Sequence, residues 1–410
     1  MNSHTVEHPP ARALTLADAG ILALLLGANL TAFTSEIMMG GVYPALAERF
    51  GVSLETVVLL TTPRALAQLG VLVLGPLSDR LGRAWVLVGA LCLLAVAGWG
   101  NAWAPSLQVM VVPQAAVGLG FATILACVKA LVGDRYPYAI RGRVLAIVQM
   151  GLPLTLIVLV PGMVALAFRV NGVAPFVAMG SVATLLALLA AWRLPGAAHR
   201  PRLPSHSEER SRDWAQPRVL VILGLMLALS MVPSAIFNFL SGWVSETFGD
   251  PARTVGLVIA GDGLGTLIGI SSSAVIVDRL TKRRATVMGL AVTGVFALLL
   301  PHTHRGLGLA FAAVAGLSAG LEVALIALAA LLTELVPRAR GTVMSLWMGA
   351  QAAGGALSPL MAAQLWRRGG MAVIASTGGA LVLAVAVAMF LVAAEPARAS
   401  GGEMTPGGGL

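Results

Sequence analysis

The stretch GPLSDRLGR at positions 75–83 has a counterpart far along the chain, where VDRLTK occupies positions 277–282. In these two segments, Asp79 and Asp278 are 199 residues apart. A second pair of segments, RGR at 141–143 and RGT at 340–342, is separated by the same 199 residues. Two independent matches at one offset indicate an internal duplication. The chain is therefore predicted to consist of two related halves.

Long apolar runs surround all four segments. Of the 410 residues, 58% are hydrophobic and 11% are charged, whereas soluble domains carry about 25% charged residues. In lipid, only helices or closed barrels satisfy their own backbone groups, and the continuous runs lack the alternation of a barrel strand. The predicted fold is an all-α membrane protein with twelve transmembrane helices in two six-helix bundles. The predicted spans are 18–44, 54–77, 84–104, 107–133, 143–168, 172–194, 217–244, 253–277, 284–303, 306–333, 340–365 and 369–394.

The spans divide the chain into predicted regions. Residues 1–194 form an N-terminal bundle, 195–216 a cytoplasmic linker, 217–394 a C-terminal bundle, and 395–410 a disordered tail. Six helices per half make the halves run in the same direction, which predicts a pseudo-twofold axis along the membrane normal. Nineteen Lys and Arg residues lie in loops on the side of the N-terminus and six on the other side. This asymmetry predicts an inner-membrane protein with both termini in the cytoplasm.

Several classes of function are excluded by what the sequence contains. The net charge of +9 does not indicate nucleic-acid binding, because the basic residues lie in short loops rather than on one face of a domain. The motifs GxxxxGK[ST] and HExxH are absent, which argues against an ATP-driven pump and a zinc protease. Cys92 and Cys127 lie within apolar stretches, so we predict no disulfide, no metal and no cofactor.

The segment 75–83 is similar to the loop signature G-x-L-x-D-R-x-G-R of the major facilitator superfamily. The stretch TSEIMMGGVYP at 34–44 resembles the drug and sugar efflux subgroup, which carries an acid eight residues before a Pro. Two departures are Gln114, where many relatives carry Arg, and the segment 160–165, which keeps little of the antiporter signature of the fifth helix.

This resemblance implies a monomeric secondary transporter that works by alternating access. It implies proton-coupled efflux of a small polar or amphipathic molecule, such as a drug, a sugar or a siderophore-like metabolite. The implied partners are that substrate, protons and membrane lipid. The alternatives are an importer or facilitator of the same fold, or an intramembrane enzyme or receptor.

Charged loop residues are predicted to gate the transporter. Carboxylates at the inner ends of helices can accept hydrogen bonds from exposed amides at a neighbouring helix N-terminus, and the alternative is a solvated loop acid. The gating candidates are Gly75, Asp79, Arg80, Gly82, Arg83, Asp278 and Arg279.

Charges within the spans form the other set of candidates. Intramembrane charge is costly and usually lines a pathway, although a buried structural ion pair is the alternative. The proton-coupling candidates are Glu36, Asp262 and Glu322, and the substrate-binding candidates are Arg64, Asn29, Gln114 and Asn238. By the rise per residue, Glu36 and Arg64 lie at similar depth. We predict that they pair and that Glu36 carries the coupling proton, with Asp262 as the alternative partner of Arg64.

Overall fold

A computed structural model describes residues 16–194, 215–336 and 340–392 of the chain. These residues contain no β-strand. In the first half, α1 is Leu16–Phe50, α3 is Arg83–Trp103, α4 is Leu107–Arg135 and α6 is Ala174–Arg193. The second helix, α2, consists of Leu54–Val58, Thr61–Gln68 and Val71–Leu81; α5 consists of Tyr138–Gln149, Gly151–Leu154, the π-helical turn Thr155–Leu159 and Val160–Arg169. The predicted tail and nearly all of the predicted linker lie outside the described residues.

The second half has the same number of helices. Here α7 is Pro217–Phe248, α8 is Pro251–Arg279, α9 is Lys282–Leu299 with the 3-10 turn Leu300–Arg305, and α10 is Leu307–Leu335. The last helical segment, Arg340–Val392, is 53 residues long, and at 1.5 Å per residue it would measure about 80 Å, well over twice the thickness of the hydrocarbon core. It is therefore two spans, α11 (340–368) and α12 (371–392).

The reversal between α11 and α12 occurs at two glycines. Gly370 has a φ of 62°, a value that favours glycine. A Cβ on Gly354 of α11 would lie 2.6 Å from the Leu227 carbonyl oxygen, and one on Gly378 of α12 would lie 2.8 Å from Val232. Both limbs thus pack on the same part of α7, as expected for an antiparallel hairpin. The predicted all-α fold with twelve spans in two bundles is confirmed.

Two ion pairs occupy equivalent places in the halves. Arg83, at the start of α3, pairs with Asp134 near the end of α4 at 2.6 Å between Nη1 and Oδ2. Lys282, at the start of α9, pairs with Glu334 near the end of α10. Arg83 and Lys282 are again 199 residues apart. The duplication in the sequence is therefore visible in the contacts that tie each helix pair together.

Small residues allow close helix packing in the second half. A Cβ on Gly265 of α8 would lie 2.1 Å from the Ala315 carbonyl oxygen of α10, and one on Gly269 would lie 2.7 Å from that of Ala319. In membranes, helix association relies on such close packing, since lipid offers no hydrophobic drive. We call this contact the α8–α10 glycine seam.

The irregular helix α2 lies against the interface between the halves. It is interrupted after Val58 and after Gln68. Non-helical backbone at membrane depth is tolerated only where it is buried in protein or lines a cavity. The central piece, Thr61–Gln68, is the part of α2 that carries the polar side chains described below.

Candidate functional site

A cavity of about 290 Å³ lies between the two halves. This volume is near the lower end of the range of small-molecule pockets. Helices α1 and α2 form one wall, and α7, α10 and α11 form the other. The lining residues are Glu36, Thr61, Arg64, Ala65, Gln68, Met226, Leu229, Ser230, Pro233, Ser234, Asn238, Leu321, Leu325, Gln351, Ala352 and Gly355.

An ion pair dominates the polar wall of this cavity. The Nε atom of Arg64 lies 3.2 Å from Oε1 of Glu36, and the side chains are only 5% and 17% exposed. Gln68 donates a hydrogen bond of 3.0 Å to the same carboxylate oxygen. The predicted pairing of Glu36 with Arg64 is therefore present, and no described contact joins Arg64 to Asp262, the alternative partner.

The ion pair retains hydrogen-bonding capacity. The second carboxylate oxygen of Glu36, Oε2, and the Nη1 atom of Arg64 are buried without a hydrogen-bond partner among the described residues. Leaving such groups unsatisfied is costly. The pair therefore presents an acceptor and a donor side by side at a cavity wall, which is the arrangement needed to bind a polar group.

A glycine in α4 fixes the backbone of α2 at this point. A Cβ on Gly118 would lie 1.9 Å from the carbonyl oxygen of Arg64. Any larger residue would push α2 toward the cavity. Gly118 thus sets the height and direction from which the Arg64 side chain approaches Glu36.

The other two proton-coupling candidates lie together elsewhere. The hydroxyl of Ser318 in α10 donates a hydrogen bond of 2.6 Å to Oδ1 of Asp262 in α8. Glu322, one turn beyond Ser318, is close enough for its charge to repel that of Asp262. Neither acid lines the cavity. The three acids therefore form two separate sites, one at the cavity between the halves and one within the second half.

Two predicted substrate-binding residues lie away from the cavity. Asn29 donates a hydrogen bond of 2.7 Å to the carbonyl oxygen of Val148 in α5. Gln114 donates to Asn101 of α3 at 3.1 Å and is fully buried. Both amides pack helices of the first half together, a common use of polar residues in membranes. Neither residue lines the cavity, and their role in substrate binding stays a prediction.

Asn238 of α7 does line the cavity, where contacts between the halves close one end. This is the end that carries the α1–α2 loop, and we call it the predicted outer end. Thr61 donates a hydrogen bond of 3.4 Å to Asn238, and Ser241 of α7 donates to the Gly40 carbonyl oxygen of α1. Leu54 packs so tightly on Gly242 that a Cβ there would lie 2.2 Å from it.

The predicted gating residues occupy the opposite end. Gly82, with a φ of 91°, separates α2 from α3, and Arg83 forms the ion pair with Asp134. Asp278 and Arg279 end α8 as exposed side chains. The side chains of the remaining gating candidates, Gly75, Asp79 and Arg80, lie outside the described residues. Their gating role stays a prediction.

Sequence reasoning overlooked Thr61 and Gln68. They stand three residues before and four residues after Arg64, and residues at this spacing share one face of a helix. A search for polar residues on the face of Arg64 would have found both. Tyr43 was also overlooked, because a Tyr near a helix end reads as an interfacial residue.

Two six-helix bundles with a cavity at the interface between them, one wall of which is charged, define a polytopic membrane transporter for small molecules. The profile of the Major Facilitator Superfamily matches residues 24–239 and again residues 223–407. The chain belongs to this family, and it is therefore a secondary transporter rather than an enzyme.

The relatives agree with this assignment. The chain is 26% identical over 335 residues to the uncharacterized MFS-type transporter YwfA of Bacillus subtilis (strain 168), covering 79% of each chain. It is 28% identical over 275 residues to a chloramphenicol resistance protein of Streptomyces lividans, covering 65% of this chain and 67% of the relative.

Solved structures share the fold. A bacterial homologue of the human lysosomal transporter Spinster, inward-facing and occupied, has a TM-score of 0.69 at 17% identity, with 92% of this chain and 95% of that chain covered. The peptide transporter POT in complex with sulfate has a TM-score of 0.73 at 15% identity, with 91% and 94% covered.

Proposed function

We propose that the protein is a proton-coupled exporter of a small polar or amphipathic molecule. It works as a monomer in the inner membrane, with both termini in the cytoplasm. The two bundles, 1–194 and 217–394, rock about the interface between them and expose the cavity to each side of the membrane in turn. Glu36 carries the coupling proton, and Arg64 contacts the substrate.

The observation that carries this proposal is the Glu36–Arg64 pair in the wall of the cavity. A carboxylate buried among apolar groups is costly to ionise, whereas a guanidinium beside it favours the ionised form. Such a group responds to small changes in its surroundings. In proton-driven export, the substrate and the proton would occupy this pair in turn. A substrate that engages Arg64 from the cytoplasm is released when Glu36 takes up a proton from outside, and loss of that proton to the cytoplasm restores the pair.

The mixed character of the cavity supports the substrate class. Apolar side chains of Met226, Leu229 and Leu321 face the polar wall, so the cavity suits a molecule with an apolar body and a polar group. The relative from Streptomyces lividans, whose name is chloramphenicol resistance protein, favours export over import. Chloramphenicol is therefore the first probe to test.

The test uses the whole protein in inverted membrane vesicles with an acidic lumen. Labelled chloramphenicol should accumulate in the lumen while protons leave. Glu36→Gln should abolish this accumulation and spare exchange of labelled for unlabelled probe. Glu48→Gln is the matched control, because Glu48 lies on the same helix but is exposed.

Three results would contradict the proposal. Accumulation that persists in Glu36→Gln would move the coupling proton to Asp262 or Glu322. Probe that leaves the acidic lumen together with protons would make the protein an importer. Probe movement that does not depend on the proton gradient would make the protein a facilitator.

A further inference from the structure

A chain of side-chain hydrogen bonds starts beside the ion pair and crosses the interface between the halves. The Tyr43 hydroxyl lies 2.6 Å from Oγ1 of Thr61, and Thr61 donates to Oδ1 of Asn238 at 3.4 Å. Asn238 in turn donates to Ser234 at 3.1 Å. The chain runs from α1 through α2 to α7 of the other half. At its first end, Tyr43 lies close enough to Arg64 for the two side chains to interact.

The Asn238 end fixes the direction of the bonds. The amide oxygen of Asn has only acceptor capacity, so Thr61 donates to Asn238 and the Tyr43 hydroxyl donates to Thr61. The oxygen of Tyr43 is thereby left to interact with the positive charge of Arg64. Hydrogen bonds aligned in this way polarise one another. A change at the charged end thus alters the bonds at the other end.

Burial makes the chain costly to break. Tyr43 is fully buried, and Thr61 and Asn238 are 6% and 7% exposed. Buried polar groups are nearly always hydrogen-bonded. If Arg64 turns away, the Tyr43 oxygen loses the neighbouring positive charge at a site where little water can replace it.

We propose that Tyr43 and Thr61 are positioning residues that link the Glu36–Arg64 pair to closure of the predicted outer end. With the pair intact, the aligned chain holds α2 against α7 and the outer end stays closed. When a proton on Glu36 or a substrate draws Arg64 away, the chain loses the positive charge that polarises its first hydroxyl, and the outer end is free to open. This inference rests on the proposed function, because it assigns a consequence to the protonation of Glu36.

The surroundings of Glu36 make it the controlling charge. Among the described residues, the charged group that contacts it is Arg64 of α2, and the titratable side chain of Tyr43 interacts with Arg64 rather than with Glu36. The residues by which α7, α10 and α11 line the cavity include no charged side chain. Asp262 and Glu322 lie outside the cavity lining. A change of charge at Glu36 therefore acts mainly on the Arg64 end of the chain.

The neighbouring threonine provides a matched control. Thr62 of α2 donates a hydrogen bond of 3.0 Å to the Ala356 carbonyl oxygen of α11. This bond also crosses the interface between the halves. No side-chain hydrogen bond among the described residues connects it to the ion pair. Removing it should weaken closure whatever the state of Glu36, whereas the effect of removing the Thr61 hydroxyl should depend on Glu36.

The experiment measures closure by electron spin resonance distances in the full-length protein in lipid nanodiscs. Spin labels are attached at Thr56→Cys and Glu246→Cys, two exposed positions at the outer ends of α2 and α7. The native cysteines are replaced by Cys92→Ala and Cys127→Ala. The ratio of long-distance to short-distance populations at pH 8 and pH 5 gives the opening equilibrium.

Four results are expected. Glu36→Gln or a shift to pH 5 raises the opening ratio about 10-fold, the size of a typical coupling. Thr61→Val raises it about 5- to 10-fold alone but less than about 2-fold in the Glu36→Gln background. Thr61→Ser restores the original ratio. Thr62→Val raises it by the same factor in both backgrounds.

Two results would overturn the inference, and they have different consequences. If Thr61→Val acts by the same factor with and without Glu36→Gln, the chain does not carry the signal, although Glu36 still controls closure. If neither pH nor Glu36→Gln changes the opening ratio, the inference and the proposed coupling role of Glu36 are both refuted. Tyr43→Phe, which keeps the ring, gives the same comparison should Thr61→Val fold poorly.

Discussion

Neutralising Glu36 and Arg64 singly and together forms a thermodynamic cycle that measures how strongly they interact. The three variants are Glu36→Gln, Arg64→Gln and the double variant. Each single change leaves one charge buried without its partner, whereas the double change removes both charges. The free energy of unfolding should therefore fall more for the two single variants combined than for the double variant.

The size of the effect follows from the geometry. At 3.2 Å and an effective dielectric constant near 20, the attraction between two unit charges is about 5 kcal/mol. The 17% exposure of Glu36 and its place at a cavity wall reduce this value. Removing one partner of a buried pair typically costs about 3–5 kcal/mol. We expect a coupling free energy of about 2–4 kcal/mol.

The assay is reversible unfolding in mixed detergent micelles, followed by the loss of helix content. The Arg83–Asp134 pair is the control, because its side chains are 20% and 42% exposed. Exposed pairs contribute little, so Arg83→Gln with Asp134→Asn should give a coupling of less than about 1 kcal/mol. Additive free energies for Glu36 and Arg64, within about 0.5 kcal/mol, would refute the reasoning.

Three further changes test other parts of the structure. Gly118→Ala should lower the free energy of unfolding by about 1–3 kcal/mol and abolish transport, because its Cβ would lie 1.9 Å from the Arg64 carbonyl oxygen. Gly133→Ala on the same helix is the control: its Cβ would have no atom within 4 Å, so the change should be neutral or stabilising in the same unfolding assay. Asp79→Asn should slow transport while membrane expression stays near normal. An unchanged transport turnover would show that Asp79 has no role in gating. Asp262→Asn should leave thermal stability at pH 8 unchanged or raise it, because it removes a partly buried charge from beside another acid; a marked fall in melting temperature would contradict this.

The fold could be predicted from the sequence because the membrane imposes one strong constraint. Every span is a long apolar run, and each of the twelve coincides with a helix within several residues. The break between the last two spans was predicted at 366–368, directly before the observed reversal at Gly369 and Gly370, because this apolar stretch is too long for one crossing. The interruptions of α2 after Val58 and Gln68 were not foreseen, although the piece between them carries Thr61, Arg64 and Gln68.

The candidate site could be predicted only in part. Depth follows from counting residues, so the pairing of Glu36 with Arg64 was within reach. The direction of a side chain around the helix axis depends on tertiary packing, which is why the sequence could not show that Asn29 and Gln114 lie away from the cavity. Their amides bond to neighbouring helices, and no pattern along one helix reveals such partners. The link through Tyr43 needed three helices in place before it could be recognised.

The α8–α10 glycine seam bears on how this transporter can change its substrate over evolutionary time. At Gly265 and Gly269 any side chain would collide with the backbone of α10, so these positions tolerate almost no substitution. The leucines of α10 that line the cavity, Leu321 and Leu325, can vary in size without disturbing that contact. Adaptation to a new compound should therefore alter the cavity walls and leave the seam unchanged, and libraries built for directed evolution should be designed in the same way.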